Sequence, residues 1–338
     1  MNVLVIGAGA WGTTLSALVA RAGNSATLYS RSSLVYASLR DNRTHPVSLA
    51  GFSLPGEINV TNVLSDAVRS SPKLIVVAVP TSGIEHVARS LAGVGYQGVI
   101  VSATKGIDPE TLQTSTQRII QIVGDPERIA VLSGPNLATE IAGGLPAAAV
   151  VASERHQTAE LVQRVLMSIN FRIYTTSDVI GVELAGALKN VMAIGAGIAD
   201  GLNAGQNAKA AFITRSIAEI TRLGMACGAD PMTFAGLAGI GDLMATCGST
   251  LSRNHTVGRR LAKGERLGDI LERMTEVAEG VPTTRAAIAL GERHGVELPI
   301  ATQIGNVLFN NISPQTAIAQ LLARDAAAEV RPVDHHGR

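Results

Sequence analysis

The stretch MNVLVIGAGAWG, residues 1–12, decides the fold. Asn2–Ile6 is a short apolar run rich in branched side chains, the pattern of a strand buried on both faces of a parallel sheet. Gly7, Gly9 and Gly12 follow as G-x-G-x-x-G, and residues 13–22 (TTLSALVARA) carry apolar side chains at helical spacing without proline. The first glycine permits a tight turn, the second lets backbone approach a pyrophosphate, and the third lets helix pack on strand. The helix N-terminus then offers unpaired N–H groups to the anion. Three glycines alone also occur in connections of other α/β proteins; the strand before them and the helix after them favour a dinucleotide site.

Working outward, residues 26–30 (ATLYS) read as the second strand, and the residue just past it selects between cofactors. An acid there would bind the ribose hydroxyls and repel a 2′-phosphate, whereas this chain has Arg31 followed by Ser32 and Ser33. A cation with two hydroxyls suits the phosphate of NADP, and arginine can equally stack on adenine, so the expected cofactor is NADP by preference, with NAD tolerated. Further strands are expected at residues 74–79, 99–103, 129–133, 147–152 and 171–175, separated by helical segments. The first three end in Pro80-Thr81-Ser82, Thr104-Lys105-Gly106 and Gly134-Pro135-Asn136. Ligands of such sheets bind outside the carboxyl ends of the strands, so these clusters should ring one crevice with the glycine turn. After Ser177 only helices are expected. The fold class is therefore α/β: a Rossmann-like doubly wound domain over residues 1–180, an all-helical domain over 181–324, and a polar, disordered tail over 325–338.

With 338 residues, 46% hydrophobic and 16% charged, the chain can own two cores. A net charge of +1 gives no global pull toward nucleic acid or anionic membrane, and an aromatic content of 3% argues against base-stacking platforms. Cys227 and Cys247 form no C-x-x-C pair and read as reduced thiols of a cytoplasmic protein. The chain starts directly in a strand, leaving no room for a signal peptide. Charge-free apolar stretches such as residues 191–199 fall far short of the ~20 residues that span a bilayer. His335 and His336 lie in the tail and are not read as metal ligands. No zinc-type spacing occurs, and no metal is expected.

The chemistry is expected at Lys189, the one charge near the middle of residues 182–200 (VELAGALKNVMAIGAGIAD). Its helical neighbours are small or apolar and include no acid, so its ammonium should lose water without gaining a partner, which lowers its pKa. The alternative is a lysine snorkelling along an apolar helix. Asp242 follows the glycine run 236–241, which has no preceding strand and so is not a second dinucleotide turn. In Ser252-Arg253-Asn254, the serine can cap a helix and leave Arg253 at an N-terminus that attracts anions. A nicotinamide cofactor implies hydride transfer, and an alcohol that loses hydride must also lose its hydroxyl proton to a base. With lysine and arginine dominating the candidates, the substrate should be a small phosphate or carboxylate.

GAGAWGT at 7–13, SATKGI at 102–107, SGPN at 133–136, GALKNVMAIGAGIADGL at 186–202, GLAGIGDLMATC at 236–247 and SRN at 252–254 together resemble bacterial NAD(P)-dependent glycerol-3-phosphate dehydrogenases along nearly the whole chain. The resemblance implies reduction of dihydroxyacetone phosphate to sn-glycerol 3-phosphate in the cytoplasm, for phospholipid synthesis. It implies Lys189 as the proton donor and acceptor, with Lys105, Gly134, Asn136, Asp242, Ser252, Arg253 and Asn254 around the substrate. Ala10, Trp11, Arg31, Ala138, Val277 and Glu279 would join Gly7, Gly9 and Gly12 at the cofactor, with Lys105 and Arg253 touching both ligands. Three places depart from the family pattern: Ala10 where serine is common, Asn136 where serine or threonine is usual, and Val47-Ser48-Leu49-Ala50-Gly51 where a tyrosine precedes leucine-proline-glycine. Rival readings are a 3-hydroxy acid or 6-phosphogluconate type of dehydrogenase, and a cofactor-binding sensor without catalysis. A small phosphate ligand, no nucleic acid and no integral membrane association are expected, and a homodimer is compatible with all of this.

Overall fold

A computed structural model describes residues 1–324; the expected tail and its two histidines lie outside them. Eight strands form one sheet: β1 (Asn2–Ile6), β2 (Ser25–Tyr29), β3 (Asn59–Thr61), β4 (Leu74–Val77), β5 (Val99–Ser102), β6 (Ile129–Ser133), β7 (Ala147–Ala152) and β8 (Phe171–Thr176). Their spatial order is β3-β2-β1-β4-β5-β6-β7-β8. β1 to β6 are parallel, in the doubly wound order 3-2-1-4-5-6, while β7 runs antiparallel to β6 and parallel to β8. Alternate residues feed opposite cores. Val3, Val5, Leu74 and Val76 join a cluster on one face, and Leu4, Ile6, Ile75 and Val77 one on the other. Burial on both faces is why these strands read as continuous apolar runs.

All seven expected strands lie where anticipated within one or two residues, the second being shifted by one, to Ser25–Tyr29. β3 escaped notice because three residues carry no periodicity. From Val179 onward the described residues form helices. The longest, Val179–Gly201, is buried from Gly181 to Ala199 and organises a third apolar cluster, which also draws in Ile107, Val131 and Ala152 from the sheet side. By length and composition alone its 23 residues, which include Glu183, Lys189 and Asp200, are apolar enough to cross a membrane, but 89% of its most apolar window is buried within the protein. Asp230, Ser252 and Ser313 cap the helices that follow them, each accepting a backbone N–H with its side chain.

Order along the chain now locates the crevice. β1 and β4 are neighbours in register, Ile6 opposite Val77, yet their following helices wind away in opposite directions along the sheet. The turns after β1, β4, β5 and β6 therefore open on the same edge, at the switch point where such sheets hold ligands.

Candidate active site

The glycine turn has the shape of a pyrophosphate cradle. Gly7 adopts φ +110, and a Cβ on it would lie 2.4 Å from the Ala78 carbonyl oxygen. A Cβ on Gly12 would lie 1.8 Å from the Gly7 oxygen, so helix and strand meet only because that residue is glycine. Gly9 faces open space, with nothing within 4 Å of its would-be Cβ. The helix Ala10–Arg21 has no acid in its first turn and no side chain capping it, so its leading N–H groups remain available to an anion. Trp11 lies edge-on to Phe171, and its buried indole nitrogen has no hydrogen-bond partner among the described residues. A dinucleotide fits this donor set. Ala138 adjoins it: its carbonyl accepts the Thr14 hydroxyl at 3.2 Å. Arg31 is exposed just past β2, where it can meet the adenosine end, and Ser32 caps the short helix behind it.

Lys189 is buried, 7% exposed, at the centre of the long helix. Its Nζ donates to Thr246 Oγ1 at 2.7 Å and lies 3.1 Å from Asp242 Oδ1. The other carboxylate oxygen of Asp242 receives Lys105 Nζ at 2.6 Å, and Lys105 also donates to the Gly134 carbonyl at 2.8 Å. One buried carboxylate thus stands between two ammonium groups. Burial pushes the Lys189 pKa down to about 8; Asp242 opposes this and the Lys105 charge assists it. The expectation of an amine without a counter-ion is corrected here. No acid shares the helix face of Lys189, but Asp242 arrives from the separate helix Asp242–Gly248. The turn Leu237–Gly241 delivers it, and a Cβ on Gly239 would lie 2.0 Å from the Phe234 oxygen. The neighbouring Cys247 is buried and free, its thiol pushed up to about 12 by burial, so it stays protonated; Cys227 is free as well.

Gly134 has φ +140 and packs against Ala149, so its carbonyl can face Lys105. Asn136, next along this turn, keeps both polar side-chain atoms buried and without partners among the described residues. A buried carboxamide without protein partners is free to hydrogen-bond a ligand or a water. Ser252 caps the helix Arg253–Ala262 through the His255 N–H. Arg253 stands half-exposed at its start, with Nε 3.7 Å from Glu276 Oε2. Asn254 is held within the fold: its side chain donates to Asn190 Oδ1 at 2.9 Å and accepts from the Gly280 N–H at 2.9 Å. Asn190 in turn donates to the Lys105 carbonyl. Asn254 therefore ties together three segments around Lys189.

Val277 is half-exposed, and Glu279 accepts two hydrogen bonds from Thr81. A strap crosses nearby. His45 Nδ1 accepts from the Val47 and Ser48 N–H groups, so Nε2 carries the proton toward the Ala8 carbonyl at 2.9 Å. The Ser48 hydroxyl donates to Glu276 Oε1. Thr246, Asn190 and Glu276 were not singled out from sequence, whereas Thr81 belongs to the Pro80-Thr81-Ser82 cluster expected at the crevice. Thr246 was within reach, four residues after Asp242 and so on the same helix face; Glu276 carried no local signal.

A parallel wound sheet whose glycine turn awaits a dinucleotide, opposed by a buried amine of tuned basicity, defines the two-part nicotinamide-linked dehydrogenases. Family models sharpen this. "NAD-dependent glycerol-3-phosphate dehydrogenase N-terminus" matches residues 2–159 and the corresponding C-terminus model matches residues 178–319. The glycerol-3-phosphate dehydrogenase [NAD(P)+] of Citrifermentans bemidjiense is 44% identical over 332 residues, covering 97% of this chain and 98% of that one. The Geobacter metallireducens protein of the same name is 45% identical over 329 residues, covering 96% and 98%. The crystal structure of glycerol-3-phosphate dehydrogenase from Coxiella burnetii superposes with a TM-score of 0.91 at 33% identity, covering 96% of this chain and 99% of that one. The chain belongs to the NAD-dependent glycerol-3-phosphate dehydrogenase family.

Proposed function

We propose that this protein reduces dihydroxyacetone phosphate to sn-glycerol 3-phosphate, and reverses that reaction, with Lys189 exchanging the proton at the C2 oxygen. The observation that carries the reading is the buried Lys189 amine, at a pKa of about 8, held between Asp242 and Thr246. NADPH or NADH, bound at the glycine turn, supplies the hydride. Lys189 in its ammonium form donates to the oxygen as the carbonyl is reduced; in its amine form it accepts the hydroxyl proton during oxidation. Lys105 and Asp242 fix where that amine stands, and the second ammonium favours the developing negative charge on the oxygen. Arg253, at a helix N-terminus and lightly held by Glu276, takes the phosphate. Asn136, with Gly134 beside it, orients the rest of the substrate. Gly7, Gly9, Ala10, Trp11, Gly12, Ala138 and Val277 line the cofactor side, and Arg31 favours NADP over NAD.

Residues 1–180 and 181–324 act as the two domains of this enzyme, a division supported by the separate apolar clusters and by family matches that break between 159 and 178. The product supplies the backbone of glycerophospholipids. A cytoplasmic setting and a homodimeric assembly fit this role. The test is to mix protein, NADPH and dihydroxyacetone phosphate and follow the loss of NADPH absorbance. Turnover is expected in the wild type and not in Lys189→Ala, which should still bind NADPH; Arg253→Ala should chiefly raise KM for the phosphate. Absence of oxidation by folded wild-type protein would refute the reaction.

A further inference from the structure

Glu183 is the only acid in the buried length of the long helix, Gly181 to Ala199, and the reaction proposed above gives it no part. It is buried, and its carboxylate leaves the helix for the sheet part of the molecule. Oε1 accepts the Thr116 N–H at 2.8 Å, and Oε2 accepts the hydroxyls of Thr114 and Thr116. These two threonines stand at the start of the helix Ser115–Val123. Thr114 also pairs with Ile107 in an isolated antiparallel bridge, which closes the loop that follows β5. Ile107 lies two residues past Lys105, whose amine meets Asp242 and the Gly134 carbonyl. The same face of the long helix touches this loop again at its near end. Asn190 comes seven residues, or two helical turns, after Glu183, and its side chain donates to the Lys105 carbonyl at 3.2 Å. Between them a Cβ on Gly186 would lie 2.5 Å from Ser133 Oγ, so the helix backbone rests directly on the end of β6. One stripe of the helix thus holds the loop at both ends, beside Lys189.

Resting on the reaction proposed above, we infer that Glu183 is a positioning residue for it: Glu183 fastens the loop from Lys105 to Thr114 onto the helix that carries Lys189, and so sets the spacing of the two ammonium groups that share Asp242. A buried carboxylate is costly unless its oxygens meet donors, and here three donors from two residues meet it, one of them a leading N–H of a helix that needs a partner. Glutamine can keep all three bonds, since its carbonyl accepts the Thr116 N–H and its NH2 donates to hydroxyl oxygens that accept as readily as they donate. Leucine, of similar volume, keeps the packing and loses the bonds. Without the tie the far end of the loop is released, Lys105 withdraws from Asp242, and that carboxylate turns wholly to Lys189. Both changes raise the Lys189 pKa, because the Lys105 charge lowers it and Asp242 raises it.

The experiment compares the full-length wild type with Glu183→Gln, Glu183→Leu and Thr116→Val at a temperature where each is folded. It reads kcat, the pH inflection of kcat/KM for dihydroxyacetone phosphate, melting temperature, and amide hydrogen exchange in peptides covering residues 103–117. Glu183→Leu is expected to lower kcat about ten-fold or more, because a small misplacement penalises the chemical step heavily. It should also move the inflection upward from about 8 by about half a unit or more and speed exchange in the loop. Thr116→Val should shift all three in the same direction by less, and it carries the test should the leucine variant not fold. Glu183→Gln should stay within about three-fold of wild-type kcat, with the inflection unmoved. Equal losses or equal downward shifts in the glutamine and leucine variants would mean that the charge acts and not the bonds, and would overturn the inference. Lower melting temperatures with kcat and inflection unchanged would reduce Glu183 to a structural tie and overturn it equally. If the wild type itself failed to turn over, the proposed reaction would fall, and the exchange measurement would still decide whether Glu183 holds the loop.

Discussion

In the reaction proposed above, burial of Lys189 lowers the basicity of its amine toward neutrality, while the nearby Asp242 carboxylate opposes that shift. The balance is specific enough to perturb. Asp242→Asn removes the opposing charge and leaves burial and Lys105 acting together, so the inflection of kcat/KM should move below pH 8 by at least about one unit. An inflection unmoved in that variant would show that the 3.1 Å contact does not act on the amine. Beyond the end of β2, Arg31 is exposed and has no carboxylate within ion-pairing distance among the described residues. Arg31→Asp should repel a 2′-phosphate and lower the NADPH to NADH ratio of kcat/KM by about ten-fold or more. Equal ratios in the two proteins would make Arg31 a bystander.

Among the elements, the site depends on how closely the helix Arg253–Ala262 lies on the long helix Val179–Gly201. A Cβ on Gly258 would fall 2.0 Å from the Ile194 oxygen, and one on Gly197 would fall 2.1 Å from the His255 oxygen. Backbone thus meets backbone, and the Arg253 end is held at a fixed distance from Lys189. Gly258→Ala should cost about 1–3 kcal/mol of stability by overpacking. In the folded fraction it should raise KM for the phosphate substrate more than it lowers kcat; unchanged melting and kinetics would mean that the two helices can separate freely. Sequence reading served the elements well where burial wrote long apolar runs, as in β4 and β6. It failed for β3, too short for a pattern, and for the reversed direction of β7, because composition carries no information about strand polarity.

Across the whole molecule, the polar contacts that join the sheet part to the helical part include Lys105 to Asp242, Asn190 to the Lys105 carbonyl, Thr81 to Glu279, Ser48 to Glu276, and Thr114 and Thr116 to the buried Glu183 of the long helix. Each links residues remote in the chain. That is why the site was only partly legible in the sequence. The glycine turn announces itself through local geometry, and Lys189 through its isolation on an apolar helix. The counter-ion of that lysine, the use of Asn254 as an internal tie and the Thr81 partner of Glu279 exist only once the chain has folded. Reading one helix face at a time therefore predicted an unpaired amine where the fold supplies a carboxylate from elsewhere.

The account rests on a buried Lys189 that changes protonation near neutrality, and the pH dependence of kcat/KM, taken in both directions, tests it most directly. Reduction of dihydroxyacetone phosphate needs the ammonium form and should fall as pH rises through about 8, while oxidation of glycerol 3-phosphate needs the free amine and should rise through the same value. Profiles that lack an inflection near pH 8 in both directions, or one that survives in Lys189→Ala, would contradict it.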